Sequence, residues 1–382
     1  MRIALLTDGI YPYVIGGMQK HSYYLAKYLA RSGHKIALYH FNQSDEDIHT
    51  LEFFSEDERK NIESIVIEFP SMKGYGHYLR ESYEYSRRIY AEYKKRSEPD
   101  FIYTKGFAGW ELLNKRAKGE NTPPVGVNFH GYEMFQRAPS LKTWIEQRLL
   151  FRSPVSFNLK HADVVFSYGG RITDLLIALG NEQNKIVEIP AGIDSSWLGD
   201  RIRLKEAKAV FVFIGRWERR KGVKELNACL KKMIAQNRPF QMHFIGKIPE
   251  AFRINSTAVI YHGEVRDQGS IMEILCKCNV LVCPSHSEGM PNVILEAMAS
   301  GLAVIGTDSG AVRQMVDDSC GWCISPGRAA ELLNLMNAVV LQPSLIEERS
   351  KGSQKRIRDR FLWEEISRLT VEKLTHIISR NK

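Results

Sequence analysis

Ser285-His286-Ser287-Glu288-Gly289-Met290-Pro291-Asn292-Val293-Ile294-Leu295-Glu296-Ala297-Met298-Ala299 is the stretch around which the rest of the chain is read. The apolar run Val280-Leu281-Val282-Cys283 before it reads as a short buried strand. Pro291 suits the first position of a helix, where its missing N–H costs nothing. Ile294, Leu295 and Met298 give that helix an apolar face. Glu288 is therefore expected in the turn and Glu296 on the second helical turn. Between them lies a helix N-terminus, whose backbone N–H groups suit phosphate. A nucleotide-sugar has the matching layout of sugar hydroxyls, diphosphate and ribose hydroxyls. A glycosidase pair is the rival reading of the two glutamates. At ~1.5 Å per residue eight residues span roughly 12 Å, beyond the ~5–9.5 Å such a pair needs. A surface Glu on an ordinary helix is the plain alternative.

Working outward, residues 209–214 read as a strand leading into Gly215-Arg216-Trp217-Glu218-Arg219-Arg220-Lys221-Gly222. Residues 241–245, 258–261, 280–283 and 303–306 read as further strands of the same half. The other half opens with a buried-type strand at 2–7. A loop carrying Gly16-Gly17 follows, then a helix with Tyr24, Leu25, Tyr28 and Leu29 on its apolar face. Gly33 ends that helix, and 35–40 is the next strand. Strand, glycine loop, helix and strand open a doubly wound α/β domain. The loop lacks Gly-x-Gly-x-x-Gly, so dinucleotide binding there is unsupported. Strands are expected at 65–69, 101–104, 125–129 and 162–167. The segment from Lys185 to Asp194 closes the first half. The polar stretch 195–208 reads as a linker. The expected domains are thus 1–197, 198–361 and a C-terminal amphipathic helix in 362–382.

With 53 Lys+Arg against 44 Asp+Glu, the chain carries a formal charge of +9. The excess is confined to one half. Residues 1–200 hold 25 basic and 25 acidic side chains; residues 201–382 hold 28 and 19. A basic second half suits an anionic ligand such as a sugar diphosphate. No DNA- or RNA-binding motif accompanies it, so a nucleic-acid partner is not expected. No window approaches the ~18 apolar residues of a membrane span. The apolar run at the N-terminus is too short for a signal peptide. A cytoplasmic location is the expectation. The Tyr-, Lys- and Arg-rich segment 75–96 reads either as core packing with a solvated face or as an acceptor- or membrane-facing surface, so peripheral contact with the inner face of a membrane stays open.

Six cysteines all lie in the second half, among them Cys320-Gly321-Trp322-Cys323, which imitates a redox or zinc pair. Zinc would need a second ligand pair, for which Cys276 and Cys278 are the candidates. These two and Cys283 fit better as small buried hydrophobes. Asp45-Glu46-Asp47 resembles the metal-holding triplet of another transferase class but sits in a polar loop and reads as a solvated turn. No metal is expected.

The pattern Pro-Ser-x-x-Glu-Gly-x-Pro-x-x-x-Leu-Glu-Ala-Met-Ala-x-Gly, beginning at Pro284, resembles the signature of glycosyltransferase family 4. These are retaining, nucleotide-sugar-dependent enzymes of the GT-B type. The resemblance runs through nearly the whole chain in the family's order. It implies an α/β fold of two Rossmann-like doubly wound domains facing an interdomain cleft. The first domain would bind acceptor and the second the nucleotide-sugar, with the last helix crossing back onto the first. It also implies a metal-independent hexosyltransferase without a resident cofactor. The co-substrate would be a nucleotide-diphosphate sugar, and the acceptor a saccharide or lipid-linked saccharide.

The resemblance implies roles residue by residue. Arg216 and Lys221 match Gly-Arg-x4-Lys-Gly and would face the diphosphate; Arg219 and Arg220 lie outside that pattern and are expected to face solvent. Glu296 would accept hydrogen bonds from ribose hydroxyls, and Glu288 would lie near the donor sugar. The backbone at Gly289, Met290, Asn292 and Val293 would meet sugar and phosphates, and Val265 would lie beside the base. His130, in His130-Gly131, would hydrogen-bond the donor sugar. Gly16 and Gly17 would let backbone approach the donor phosphate, having no Cβ. No side chain reads as a nucleophile, in keeping with a front-face retaining mechanism. The chain departs from the family at Arg313-Gln314, where relatives often carry Pro-Glu. A nucleotide-sugar epimerase or hydrolase on the same fold and a non-catalytic nucleotide-sugar-binding protein are the alternatives.

Overall fold

A computed structural model describes residues 1–41, 53–138, 140–198 and 208–380. It divides into two compact units. Unit 1 comprises Met1–Phe135, Lys142–Ala191 and Trp363–Lys382; unit 2 comprises Gln136–Leu141 and Gly192–Leu362.

Unit 1 is built on a seven-stranded parallel sheet. Its strands are β1 (Arg2–Leu6), β2 (Lys35–His40), β3 (Ile62–Val66), β4 (Phe101–Lys105), β5 (Val125–Asn128), β6 (Val164–Ser167) and β7 (Ile186–Glu188). They lie in the order β3-β2-β1-β4-β5-β6-β7. The central strands β4, β5 and β6 are buried at every position, as strands covered by helices on both faces must be. The chain winds outward from β1 to β3 and then returns to place β4 beside β1. That reversal opens a crevice at the carboxyl ends of the two strands, where ligands of such sheets bind. The expected strand at 65–69 is displaced to Ile62–Val66. This edge strand mixes Glu63 and Ser64 with its apolar residues, so it offers no unbroken apolar run.

The helix Gly17–Arg31 buries Leu25, Ala26, Tyr28 and Leu29 against this sheet. The last helix, Trp363–Arg380, belongs to the same unit. Trp363 is buried and stacks on Tyr24 and Tyr28, with ring centroids 5.9 and 6.0 Å away. Tyr28 also donates to Glu364 at 3.3 Å. In segment 75–96, the helix His77–Tyr93 buries Tyr85, Ile89 and Tyr93 and leaves Tyr78 half exposed.

Unit 2 repeats the plan with six parallel strands. These are β8 (Ala209–Ile214), β9 (Phe240–Ile245), β10 (Val259–Gly263), β11 (Val280–Cys283), β12 (Ala303–Thr307) and β13 (Gly321–Ile324). The order β10-β9-β8-β11-β12-β13 puts the reversal between β8 and β11. Cys320-Gly321-Trp322-Cys323, which only imitates a redox or zinc pair, runs into β13, a strand the sequence reading did not mark. These residues enter an edge strand paired with β12, and Gly321 lies so close to the Val304 carbonyl that a Cβ would sit 2.2 Å from it. Burial pushes both thiols up to about 11, away from the reactive thiolate range.

The sequence places the domain boundary after residue 197, whereas unit 2 begins at Gly192. Ile193 bridges Leu362 and donates its N–H to the Phe361 carbonyl at 2.7 Å, so the two chain crossings are held side by side. Ser195–Trp197 is a short 3₁₀ turn capped by Asp194. Part of the expected linker, and Asp45 and Asp47, lie outside the described residues. Among the described residues no single helix is long and apolar enough to cross a membrane.

Candidate active site

In unit 2 the expected site residues other than Val265 gather at the carboxyl ends of β8 and β11, the reversal point of the sheet. The loop after β8 carries the basic run; the loop after β11 carries Glu288. A short 3₁₀ turn, Arg219–Lys221, ends at Gly222 in the left-handed region at φ 70°. A Cβ there would lie 1.9 Å from the Pro284 carbonyl. Only glycine allows the two loops to approach this closely. The approach sets Lys221 Nζ 2.6 Å from Glu288 Oε1.

Glu288 is buried, and Arg220 Nη1 lies 3.8 Å from its other oxygen. Burial alone would raise this carboxyl. Lys221 and Arg220, with the Lys221 hydrogen bond, outweigh it and hold the group below the usual carboxylate range. Glu288 is therefore an anion at neutral pH, locked onto its cation. Arg220 also donates to Glu218 at 2.9 Å, and Glu218 takes Arg216 at 2.9 Å. The order Lys221, Glu288, Arg220, Glu218, Arg216 thus runs from a buried pair to the surface.

The two pattern-matched cations differ sharply in setting. The Lys221 side chain is 17 % exposed and the Arg216 side chain 78 %. Arg219 and Arg220 correct the expectation of solvent-facing side chains. Arg219 grips Glu225 with two bonds of 2.6 and 2.8 Å and also meets His286 Nε2 at 2.8 Å. His286 in turn lies 3.1 Å from Glu225, and its backbone N–H donates to the Arg220 carbonyl at 2.6 Å. This second cluster ties the basic turn to the Glu288 loop. Burial holds the His286 ring below its ordinary range despite Glu225.

The helix after β11 spans Asn292–Ala299. Pro291 is its N-cap at ψ 116° and not its first helical residue, because the extended backbone there turns the chain into the helix. Asn292 and Val293 fill the first turn, where N–H groups lack partners within the helix. Gly289 and Met290 are buried beneath it, and Glu296 is buried on the second turn. Gly310 pins this loop from below. Its φ is 55°, and a Cβ would lie 2.2 and 2.3 Å from the carbonyls of Glu288 and Gly289. Gln136, counted with unit 2, meets the Glu288 backbone at both its N–H and its carbonyl. Val265 follows β10 and is half-buried. At the departure from the family pattern, Arg313 pairs with Asp308 at 2.8 Å.

In unit 1 the expected residues also sit at strand ends. His130 follows β5, with its Nδ1 2.7 Å from the Tyr168 hydroxyl and its N–H on Asn128 Oδ1. Its φ of 60° is unusual for a residue with a side chain. Such strain, worth ~1–3 kcal/mol, persists where surroundings force it and clusters at functional sites. Gly16 and Gly17 begin the helix that also carries His21, whose ring lies 6.4 Å from that of His130. Gly16 has an extended backbone at φ 170°, which any residue adopts; a Cβ would instead meet the Gln19 amide at 2.1 Å.

Sequence reasoning missed the polar group buried nearby. The Lys105 ammonium at the end of β4 is fully buried without a hydrogen-bond partner, as are His21 Nδ1 and Asp8 Oδ1. Burial lowers the Lys105 amine to about 7 and raises the Asp8 carboxyl to about 6. The available signal was a charged residue ending each of two apolar strand runs at the sheet's reversal point.

Two family models match in succession: Glycosyltransferase Family 4 over residues 15–197 and Glycosyl transferases group 1 over residues 208–341. The chain belongs to glycosyltransferase family 4. It is 27 % identical to alpha-maltose-1-phosphate synthase of Mycolicibacterium smegmatis over 55 % of this chain and 59 % of that protein. Its alignments to the first curated relatives span about three fifths of their length. Among solved structures, sucrose-phosphate synthase of Thermosynechococcus elongatus superposes with a TM-score of 0.79 at 18 % identity over the whole of both chains. Anabaena HepE in complex with UDP-glucose gives 0.67 at 17 % identity, over 98 % of this chain and all of that one. These likenesses establish the GT-B fold.

Proposed function

We propose that the protein transfers a hexosyl group from a nucleoside diphosphate to a saccharide acceptor, with retention of configuration and without a metal ion. The observation that carries this reading is the Lys221–Glu288 pair at 2.6 Å, set where unit 2's sheet reverses and beside the start of the Asn292–Ala299 helix. A diphosphate leaving group gains charge as its bond to the sugar breaks. A fixed ammonium, a second guanidinium and helix N–H groups at that place stabilise the transition state more than the ground state. Glu296 is assigned to the ribose hydroxyls, Glu288 to the donor sugar, and Val265 to the base.

In unit 1, His130 is assigned to the donor sugar, oriented through its Nδ1 by the Tyr168 hydroxyl. No protein nucleophile is invoked. The acceptor hydroxyl would be deprotonated by the leaving phosphate, so catalysis rests on placement and electrostatics. HepE in complex with UDP-glucose supports a uridine nucleotide as first donor to try. The acceptor reading extends to lipid-linked saccharides. Trp144, Ile145 and Leu149 are exposed beside Lys142 and Arg148, a composition suited to an anionic membrane face. Pelleting with phosphatidylglycerol vesicles, lost in Trp144→Ser, tests that extension.

The central test is transfer from a panel of UDP- and GDP-sugars, read by NMR of the product anomer with and without EDTA. Retained configuration and chelator-resistant turnover are expected. Inverted product overturns the retaining mechanism. EDTA-abolished activity restored by Mg²⁺ or Mn²⁺ overturns metal independence.

A further inference from the structure

Unit 1 carries a basic cavity of about 300 Å³ on the face of β1, β2 and β3 near their amino ends, away from the crevice at the carboxyl ends. Side chains two apart on a strand share a face. Arg2 and Ala4 of β1 lie in register with Lys35 and Ala37 of β2, and Ala37 in turn with Glu63 of β3. The helix His77–Tyr93 packs on this face and ends at Tyr93. Past that end the small side chains of Ala4 and Ala37 leave a hollow walled by Tyr39 and Tyr93, and the connection 94–100 brings Arg96 and Ser97 to it.

Arg2, Lys35, Lys60 and Arg96 line the cavity against a single carboxylate, Glu63. Two of these cations are already matched. Arg96 is held by Glu63 at 2.9 Å and Glu92 at 3.2 Å, and Lys60 by Asp57 at 2.8 Å. The other two meet neutral oxygens: Arg2 Nη1 donates to the Ser97 hydroxyl and Lys35 Nζ to the Lys60 carbonyl at 3.1 Å. Asp100 takes only the Arg2 backbone N–H, and Glu98 stands outside the lining. Two like charges on paired strands thus share the hollow with no carboxylate of their own. A second observation points the same way. Tyr93 is 5 % exposed, and its buried hydroxyl has no hydrogen-bond partner among the described residues. Burial pushes the Tyr39 phenol up to about 12 and the Tyr93 phenol higher, so both stay protonated and can donate. A buried donor without an acceptor is costly, and an oxygen in the cavity would relieve that cost.

We propose that this cavity binds a phosphate monoester, held by Arg2 and Lys35 and by the Tyr93 hydroxyl. Such a group carries about −1.5 to −2 charge at pH 7 and three acceptor oxygens, which two cations and a phenol match. Arg2 offers a planar fork and Lys35 a point charge. The volume lies at the small end of the ~300–1,000 Å³ typical of ligand sites, which suits a headgroup or a small ester and not a polymer. Because the cavity stands away from the crevice, the ligand is bound there intact and is not a substrate. The inference does not depend on the transferase reading.

The experiment uses the full chain saturated with UDP, at constant ionic strength. Calorimetric titrations employ inorganic phosphate and glucose 6-phosphate. The wild type is expected to bind at least one of them. Lys35→Gln and Arg2→Gln should each weaken that binding by about ten-fold, the scale of a lost charge-assisted contact, and leave UDP affinity unchanged. Lys221→Ala, which acts on the proposed donor site, should leave the phosphate binding unchanged. Tyr93→Phe should weaken it by about three-fold while the unliganded protein is no less stable to denaturant, since the hydroxyl removed has no partner there. Phosphatidylcholine vesicles containing phosphatidic acid separate the two sources of the ester. In a Trp144→Ser background, pelleting that Lys35→Gln abolishes assigns the phosphate to a lipid headgroup; binding of the soluble probes without such pelleting assigns it to a free ester. The proposal is overturned if the wild type binds neither soluble probe and no vesicle through Lys35. It is equally overturned if folded Lys35→Gln and Arg2→Gln bind as the wild type does. Full binding by Tyr93→Phe overturns the part given to that hydroxyl.

Discussion

The two sheets reverse at equivalent places, but the charges there are handled in opposite ways. In unit 2, Glu288, Lys221, Arg220, Glu218 and Arg216 form a continuous run of opposite signs, and Arg219, Glu225 and His286 form a second. In unit 1, Asp8, Lys105 and His21 each bury an atom with no hydrogen-bond partner. Buried charge is tolerated when paired and strongly penalised when not. Unit 2 therefore meets the charges of Glu288 and Glu225 with opposite charges, while His286 Nδ1 alone in these two runs is buried without a hydrogen bond. Unit 1 instead keeps Asp8 Oδ1, Lys105 Nζ and His21 Nδ1 buried without hydrogen bonds. The same topology thus carries two different arrangements of charge through side chains alone.

The largest effect should come from breaking the paired network. Lys221→Met strands Glu288 with only the more distant Arg220, and breaking a buried pair costs about 3–5 kcal/mol. Chemical denaturation at pH 7 should show a loss of that order. Glu288→Gln on top of it should recover most of the loss by removing the stranded charge. The sign with pH follows from Glu288. Its carboxyl is depressed in the folded protein, so its contribution is present above the unfolded value of 4.5 and lost as pH falls through the lower folded value. The gap between wild type and Lys221→Met should accordingly shrink toward pH 4. A gap independent of pH would mean the pair is incidental to stability.

A smaller effect separates the two pattern cations. Lys221→Ala should lower kcat/KM by ~10²-fold, the scale of a lost transition-state charge contact. Arg216 is mostly exposed and already paired with Glu218, so Arg216→Ala should cost less, about ten-fold. Equal losses at both positions would show that Arg216 leaves Glu218 to work beside Lys221 when donor is bound.

The sequence was most informative where one physical signal dominated. Strands 35–40, 209–214 and 280–283 agree with β2, β8 and β11 because each is a short apolar run inside a parallel sheet. β13 escaped because Gly321 and Cys323 disguise an edge strand. The Glu288 turn and the helix bearing Glu296 were legible from Pro291 and the apolar spacing. The Lys221–Glu288 pair was not, since it depends on Gly222 fitting against Pro284 across the sheet. Arg219 was misread for the same reason. Its partners are Glu225 in the next helix and His286 in a distant loop, and a run of three basic residues carries no hint of either. Asp8 and Lys105 stood at the ends of apolar runs, but a residue at a strand end is exposed or buried according to the helices above it. Only the packed structure decides that.

The central claim is that Lys221 and Glu288 divide the donor between them, one taking the diphosphate and the other the sugar. Calorimetric titration of UDP into Glu288→Gln tests this most directly, beside wild type and Glu296→Ala. In the native protein Glu288 competes for Lys221. Its neutralisation should therefore leave UDP affinity equal to wild type or tighter, while transfer from the hexose donor falls by ~10²-fold. Glu296→Ala should lose UDP affinity by ten-fold or more. If Glu288→Gln, shown to be folded, loses UDP affinity as severely as Glu296→Ala, the assignment of Glu288 to the sugar end of the donor is contradicted.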